Sequence, residues 1–278
     1  MFVLLQLIFQ LGQTFFHKRL FQRFFRPSVP SGEATLGIQK LVIRQIWSVF
    51  SLPYLWKDGL QAVNTVMDDD VKALLNEKMQ EYGFMIIAWT DIGSRSVLNQ
   101  SHPVESVDDM VGLKLRCMED TVLAESVNAM GAIATPMASS EIYTALQQGT
   151  IDGLDHTPSV IAANSWYELC KYLTLTEHFT IPDPVFVSKS WFDRLSPENQ
   201  EAILEAGEKF SDQWNNEIWA QATQEGLQIL EENGVEILEV DKKPFQEKTQ
   251  AVVDDFLANA SEDQKELYDL LIATREKY

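Results

Sequence analysis

Two arginines and an aspartate-histidine pair are the residues of this chain whose types and spacing point to chemistry. Arg116 closes the run Leu113-Lys114-Leu115-Arg116, Arg95 follows the apolar block Phe84–Trp89, and Asp155 and His156 follow Asp152-Gly153. A guanidinium is planar, keeps its charge and matches a carboxylate with two parallel hydrogen bonds, so arginines at strand ends suit the capture of an organic anion. In open α/β sheets such ligands settle outside the ends of the strands. The competing reading of Arg116 is a structural ion pair with Glu119 or Asp120, because an arginine inside a strand is seldom left unpaired. Periodicity alone leaves the two readings open. Asp152, Asp155 and His156 together carry the donors for a cation, and a solvated turn after a strand has the same composition.

Catalytic signatures are missing from the sequence: it has no G-x-G-x-x-G, P-loop, G-x-S-x-G, H-E-x-x-H or C-x-x-C. The four histidines show no metal spacing, and no metal or cofactor is expected. Cys117 and Cys170 sit in or beside apolar stretches, which favours burial as free thiols over a disulfide. The 278 residues carry 22 Lys+Arg against 41 Asp+Glu, a net charge of -19. A chain this acidic is repelled by phosphate backbones, which excludes nucleic acid as a partner. An anionic ligand then needs a local positive site, which returns attention to Arg116 and Arg95.

The elements that must position these groups read clearly from Ser51 onward. Apolar residues at helical spacing run to Tyr82-Gly83, and Phe84–Trp89 reads as a buried strand. A loop through Gly93, Ser94 and Asn99 is expected next, then a helical turn capped by Ser106, a strand at 113–118, a helix at 121–130 and a strand at 132–137. Ser139 or Ser140 should cap the helix that Gly149 ends. Strands alternating with short helices predict a mostly parallel α/β sheet. Ser196-Pro197-Glu198 opens the longest helix, 197–232, which at 1.5 Å per residue spans roughly 54 Å and should tie two lobes together. A strand, VEILEV, and two acidic helices close the chain.

The beginning of the chain is a different kind of sequence. Residues 1–50 hold six Lys/Arg and one acid, a net of +5, whereas the rest hold 16 and 40, a net of -24. Phe15, Phe16, Leu20, Phe21, Phe24 and Phe25 recur among basic residues, as in a segment that touches a membrane weakly. The apolar run Phe2–Phe9 is too short to span a bilayer and makes a poor secretory signal.

The stretch GLKLRCMEDTVLAESVNAMGAIATPMASSEIYTALQQGTIDGLDHTPS, followed by ELCKYLTLTEH, resembles the solute-binding proteins of tripartite ATP-independent periplasmic (TRAP) transporters, of the dicarboxylate-binding type. The blocks G-L-K-L-R, T-P-M-A-S-S-E-I-Y-T-A-L-Q, I-D-G and K-Y-L-T-L-T stand in the family's order, preceded by SLPYLWKD and AWTDIGSR. The resemblance covers about Ser51 to Gly234. It implies a two-lobed, periplasmic-binding-protein-like α/β fold that closes on a small organic acid and delivers it to membrane subunits. Residues 51–93 and 182–278 would form lobe I, with the bridging helix 197–232, and 94–181 lobe II. It also implies a periplasmic location, and that Arg116 holds the ligand carboxylate with Arg95 in support. Where the family has Q-E-N after [VI]-D-G, this chain has Leu154-Asp155-His156, and Ser139 stands where an aromatic often does. The ligand-binding candidates are therefore Arg116, Arg95, His156, Asp155, Glu119 and Ser139. Residues 1–50 do not resemble the family's first strands, so a truncated or frame-disrupted product or a divergent, incomplete lobe I is expected. An enzyme would have to rely on His156 with Asp155 alone.

Overall fold

The computed structural model describes residues 46–278. The basic-aromatic segment and the apolar run at Phe2–Phe9 lie outside the described residues. Helix ends follow local chemistry. α1 (Gly59–Val66) begins where the Asp58 side chain accepts from Gln61 N at 2.7 Å, and α2 (Asp69–Glu81) has Asp68 as its cap and two acids in its first turn. Gly83, at φ +82°, turns the chain into β1 (Phe84–Thr90). There follow β2 (Ser94–Asn99), β3 (Lys114–Cys117), α3 (Thr121–Ala129) capped by Asp120, β4 (Ile133–Pro136), α4 (Ile142–Gln147), β5 (Gly153–His156) and α5 (Pro158–Ala163). Then come β6 (Tyr172–Thr180), β7 (Asp183–Ser188), α6 (Pro197–Gln213), a π turn (Trp214–Ile218), α7 (Trp219–Glu232), β8 (Glu236–Glu239), α8 (Lys243–Asn259) and α9 (Glu262–Arg275).

The strands form two sheets. β1 and β7 pair antiparallel, while six strands lie in the order β4-β3-β5-β2-β6-β8. The larger sheet is mixed rather than mostly parallel: β3 runs parallel to β4 and β5, and β6 to β8, but β2 runs antiparallel to both β5 and β6. The exception is the segment expected as a loop. Ser94–Asn99 is a central strand, buried at five of its six positions, and Ser94, Arg95 and Ser96 find partners distant in sequence, in Thr180, Asp155 and Glu177, so its hydropathy hid it.

Neither Ser139 nor Ser140 caps α4. The turn Ser139–Glu141 precedes that helix, and the Glu141 carboxylate accepts from Ala138 N at 3.2 Å instead.

Helical structure is unbroken from Pro197 to Glu232, as the stripe of apolar residues predicts, with a π turn at its middle. Its two interior glycines do not interrupt it. A Cβ on Gly207 would lie 1.8 Å from Ile87 O in β1, and one on Gly226 would lie 2.6 Å from Ser159 Cα in α5. One glycine lets the helix touch the two-stranded sheet and the other lets it touch a helix packed on the six-stranded sheet. The long helix thus bridges both.

Packing is organised around each sheet. Leu98, Leu154 and Leu173 bury one face of the larger sheet under α4, α5 and α7; Val97, Leu115 and Cys117 bury the other under α3 and Phe245 of α8. A third cluster joins α1, α2, β1 and α9. Ile46, Val49 and Phe50, which the charge division groups with the anomalous start, belong to this core, and Trp47 stacks on Trp89 with ring centroids 5.8 Å apart.

Candidate functional site

β3 and β5 end side by side, and the register decides which side chains share a face. Arg116 pairs with Leu154 in the parallel ladder, so the two side chains emerge together, as does His156 two residues further on. Asp155 projects to the opposite face, where it pairs in register with Val97 of β2. Arg95, two residues before Val97, reaches it there.

Arg95 and Asp155 are almost fully enclosed, 3% and 1% exposed. Arg95 Nε donates to Asp155 Oδ2 at 2.5 Å, and Nη2 donates to the Asp155 carbonyl at 2.6 Å. Burial alone would raise the Asp155 pKa, but the charge and hydrogen bond of Arg95 outweigh it and hold the carboxyl at about 2. His178 Nε2 stands 3.9 Å from the same carboxylate oxygen, and its Nδ1 lies 2.7 Å from Thr176 Oγ1. Burial pushes the His178 pKa down to about 4, so this ring is neutral at physiological pH.

Arg116 is different. It is 4% exposed, yet it forms no salt bridge to a carboxylate among the described residues. Its Nε and Nη2 both donate to the Met137 carbonyl, at 3.0 and 2.9 Å, and Nη1 donates to no atom of the described residues. The pairing with Glu119 or Asp120 does not form: Glu119 is exposed, and Asp120 caps α3 through Leu123 N. Burial and then the neighbouring Arg95 charge depress the Arg116 pKa. The buried carboxylate of Asp155 is taken by Arg95, which leaves the charge of the buried Arg116 uncompensated at the strand ends.

His156 completes this corner. Its Nδ1 accepts from Thr157 N at 2.9 Å, its ring lies against Trp166 with centroids 5.6 Å apart, and burial followed by the Arg95 charge drives its pKa well below the ordinary 6.5. Ser139 is exposed in the turn after β4, two residues beyond Met137. Asp152, Asp155 and His156 do not come together as one group of donors. Asp152 sits before β5 and accepts from Lys114 N at 2.8 Å, and among the described residues no group of three or more His, Cys, Asp or Glu side chains could hold a metal ion. Both cysteines are buried free thiols.

Sequence reasoning missed His178 and the joint between the sheets. The only available signal for His178 was a histidine amid the alternating run YLTLTEHFT. At the joint, Asp91 follows β1, its N–H donates to Asn215 Oδ1 at 2.7 Å, and Trp214 Nε1 donates to its carbonyl at 2.8 Å. The π turn of the bridging helix is thereby fastened to the crossover between β1 and β2. Tyr54 of the SLPYLWKD motif ties onto β6 through Tyr54 N to His178 O, 3.0 Å, and its hydroxyl to Thr176 O, 3.1 Å. A cavity of about 280 Å³ between α2, β1 and α6 is mostly apolar, with Met85, Ile87 and Leu204 in its wall, and shares no described residue with the arginine cluster.

The sequence and the fold match known proteins. The model of bacterial extracellular solute-binding protein family 7 matches residues 35–260. The chain belongs to that family. The family match begins upstream of Ser51 and so takes in part of the segment that carries no recognisable family motif. A solute-binding protein of Chromohalobacter salexigens is 34% identical over 76% of this family 7 chain and 62% of its own length. The chain thus spans about three fifths of that curated relative. A TRAP periplasmic solute-binding protein structure from C. salexigens with bound D-glucuronate superposes with a TM-score of 0.78 and 32% identity, covering 85% of this chain and 77% of that one. One from Sulfitobacter sp. NAS-14.1 with bound β-D-galacturonate gives 0.76 and 31%, covering 87% and 82%. The family 7 fold is the two-lobed α/β architecture that the bridging helix implied.

Proposed function

We propose that this chain captures a small organic acid at the ends of β3 and β5 and delivers it to TRAP membrane subunits on the outer face of the cytoplasmic membrane, without transforming it. The observation that carries this reading is the unpaired charge of Arg116: a buried guanidinium held by Met137 O, with Nη1 uncommitted, is a receptor for a carboxylate. The uronates bound in two related structures support an acid of that class. Arg95 and Asp155 act by positioning: their pair fixes the strand ends and adds the positive field. His156 faces the ligand from beside Arg116, while Ser139 and the exposed Glu119 stand at the rim.

Residues 94–181 with β8 (Glu236–Glu239), which pairs with β6, act as one lobe and 51–93 with the rest of 182–278 as the other, closing about the crossover at Asp91, the chain between β6 and β7, the π turn and the chain after β8. Closure is favoured when the carboxylate joins groups that the open form leaves apart. No helix among the described residues is long and apolar enough to cross a membrane.

Calorimetric titration with D-glucuronate, D-galacturonate and a C4 dicarboxylate tests the proposal. At least one acid should bind and be recovered chemically unchanged, and Arg116→Ala should weaken it by about a hundredfold or more, since removing one side of a buried charge pair costs several kcal/mol. Equal affinity in the mutant, or turnover of the acid, would overturn it.

A further inference from the structure

Beside the arginine that receives the carboxylate stands a second group whose donor is fixed in direction. Arg116 is in register with Leu154, and His156 is two residues beyond Leu154 on β5, so both side chains leave the same sheet face at the same end. Adjacent strands lie about 4.8 Å apart and two residues rise about 6.6 Å, so the Cα atoms of Arg116 and His156 are about 8 Å apart, within reach of one small ligand. The His156 ring has no freedom to choose its proton. Nδ1 accepts the Thr157 amide hydrogen at 2.9 Å, and a backbone N–H can only donate, so Nδ1 is the bare nitrogen and Nε2 carries the hydrogen. Trp166, itself buried in the core, lies against the ring and holds its plane. Nε2 makes no hydrogen bond among the described residues and, unlike His178 Nε2, it is not sealed away from solvent. A donor that solvent can reach, on the same sheet face as a carboxylate receptor and with no partner among the described residues, is an element of ligand choice.

We propose that His156 Nε2–H selects acids that carry an acceptor oxygen next to the carboxylate-bearing carbon, such as a ring ether or hydroxyl oxygen, over acids with a methylene there. The inference rests on the carboxylate-binding reading of Arg116. The reason is one of balance: an oxygen accepts the Nε2 hydrogen, whereas a methylene strips its water and returns nothing. Because the ring is neutral, the contact adds direction without adding charge, and Arg116 remains the sole anchor for the anion.

The test compares tetrahydropyran-2-carboxylate with cyclohexanecarboxylate, two ring acids that differ by that single oxygen. Wild-type protein should bind the pyran acid on the order of tenfold more tightly, the scale of one hydrogen bond with an unsatisfied donor as the alternative. His156→Leu should bring the two affinities together while keeping both dependent on Arg116. His156→Gln, which keeps an N–H donor, should retain part of the preference and guards against a variant that fails to fold. Nitrogen NMR of the ring, assigned by its loss in His156→Gln, should show Nε2 protonated and Nδ1 bare. Equal affinities in wild type, a preference that survives in His156→Leu, or the opposite tautomer would overturn this inference and leave the Arg116 reading standing. Binding of neither these acids nor any uronate would overturn both.

Discussion

Arg95 holds Asp155 by two hydrogen bonds, to Oδ2 at 2.5 Å and to the backbone carbonyl at 2.6 Å, across 60 residues of sequence and inside the protein. Asp155→Ala strands a buried guanidinium and should cost roughly 3–5 kcal/mol in urea unfolding, whereas Arg95→Met with Asp155→Leu should recover most of it. The carboxyl is depressed to about 2 from an ordinary 3.8, so folded protein binds fewer protons than unfolded protein between those values. Its contribution is complete above pH 4 and is lost as pH falls toward 2. A double mutant with the same acid dependence as wild type would show that the pair does not carry it.

Asp91 has the opposite sign. Burial, opposed by the Gly93 amide and helped by Asp58, raises its pKa to about 6, so the folded state holds an extra proton between roughly pH 4 and 6. Stability from this group is full at low pH and declines as pH rises through that window. Asp91→Asn should flatten the decline in thermal melts taken from pH 4 to 7. An unchanged slope would remove Asp91 as its source.

The glycines of the bridging helix are set by close approach. Gly207→Ala would put a methyl 1.8 Å from Ile87 O, and Gly226→Ala one 2.6 Å from Ser159 Cα. Although alanine favours a helix by about 1 kcal/mol over glycine, both variants should be destabilised, Gly207→Ala by more, because the backbone it meets cannot step aside. Chemical denaturation reads the outcome, and stabilisation of either variant would refute the contact.

The thiols should be inert in the folded protein. Cys117 and Cys170 are both fully buried, and burial pushes their pKa values up to about 11 and 12. Thiolate is the reactive form. A colorimetric thiol reagent should therefore find none until denaturant is added, then two. Rapid reaction of either in native buffer would contradict the packing around β3 or around Trp166 and Leu173.

The sequence by itself determined what depends on neighbours along the chain. Aspartates at 58, 68 and 120 cap helices through amides three residues away or fewer, Gly83 ends a helix because φ +82° suits it, and an apolar stripe marks 197–232 as one helix. Arg116 was legible as a site residue for the same reason: a charge placed at the end of a short apolar strand. Tertiary structure decided what depends on pairing at a distance. Ser94–Asn99 reads as a loop because Arg95, Ser96 and Asn99 are polar, and it becomes a central strand because Asp155 satisfies Arg95, Glu177 N donates to Ser96 and the backbone pairs with β5 and β6. The availability of Arg116 was decided there too, since Asp120 is spent on a helix cap and Asp155 on Arg95. Burying a polar group is tolerable only with a partner, and which partner is closest depends on how the strands are ordered in the sheet.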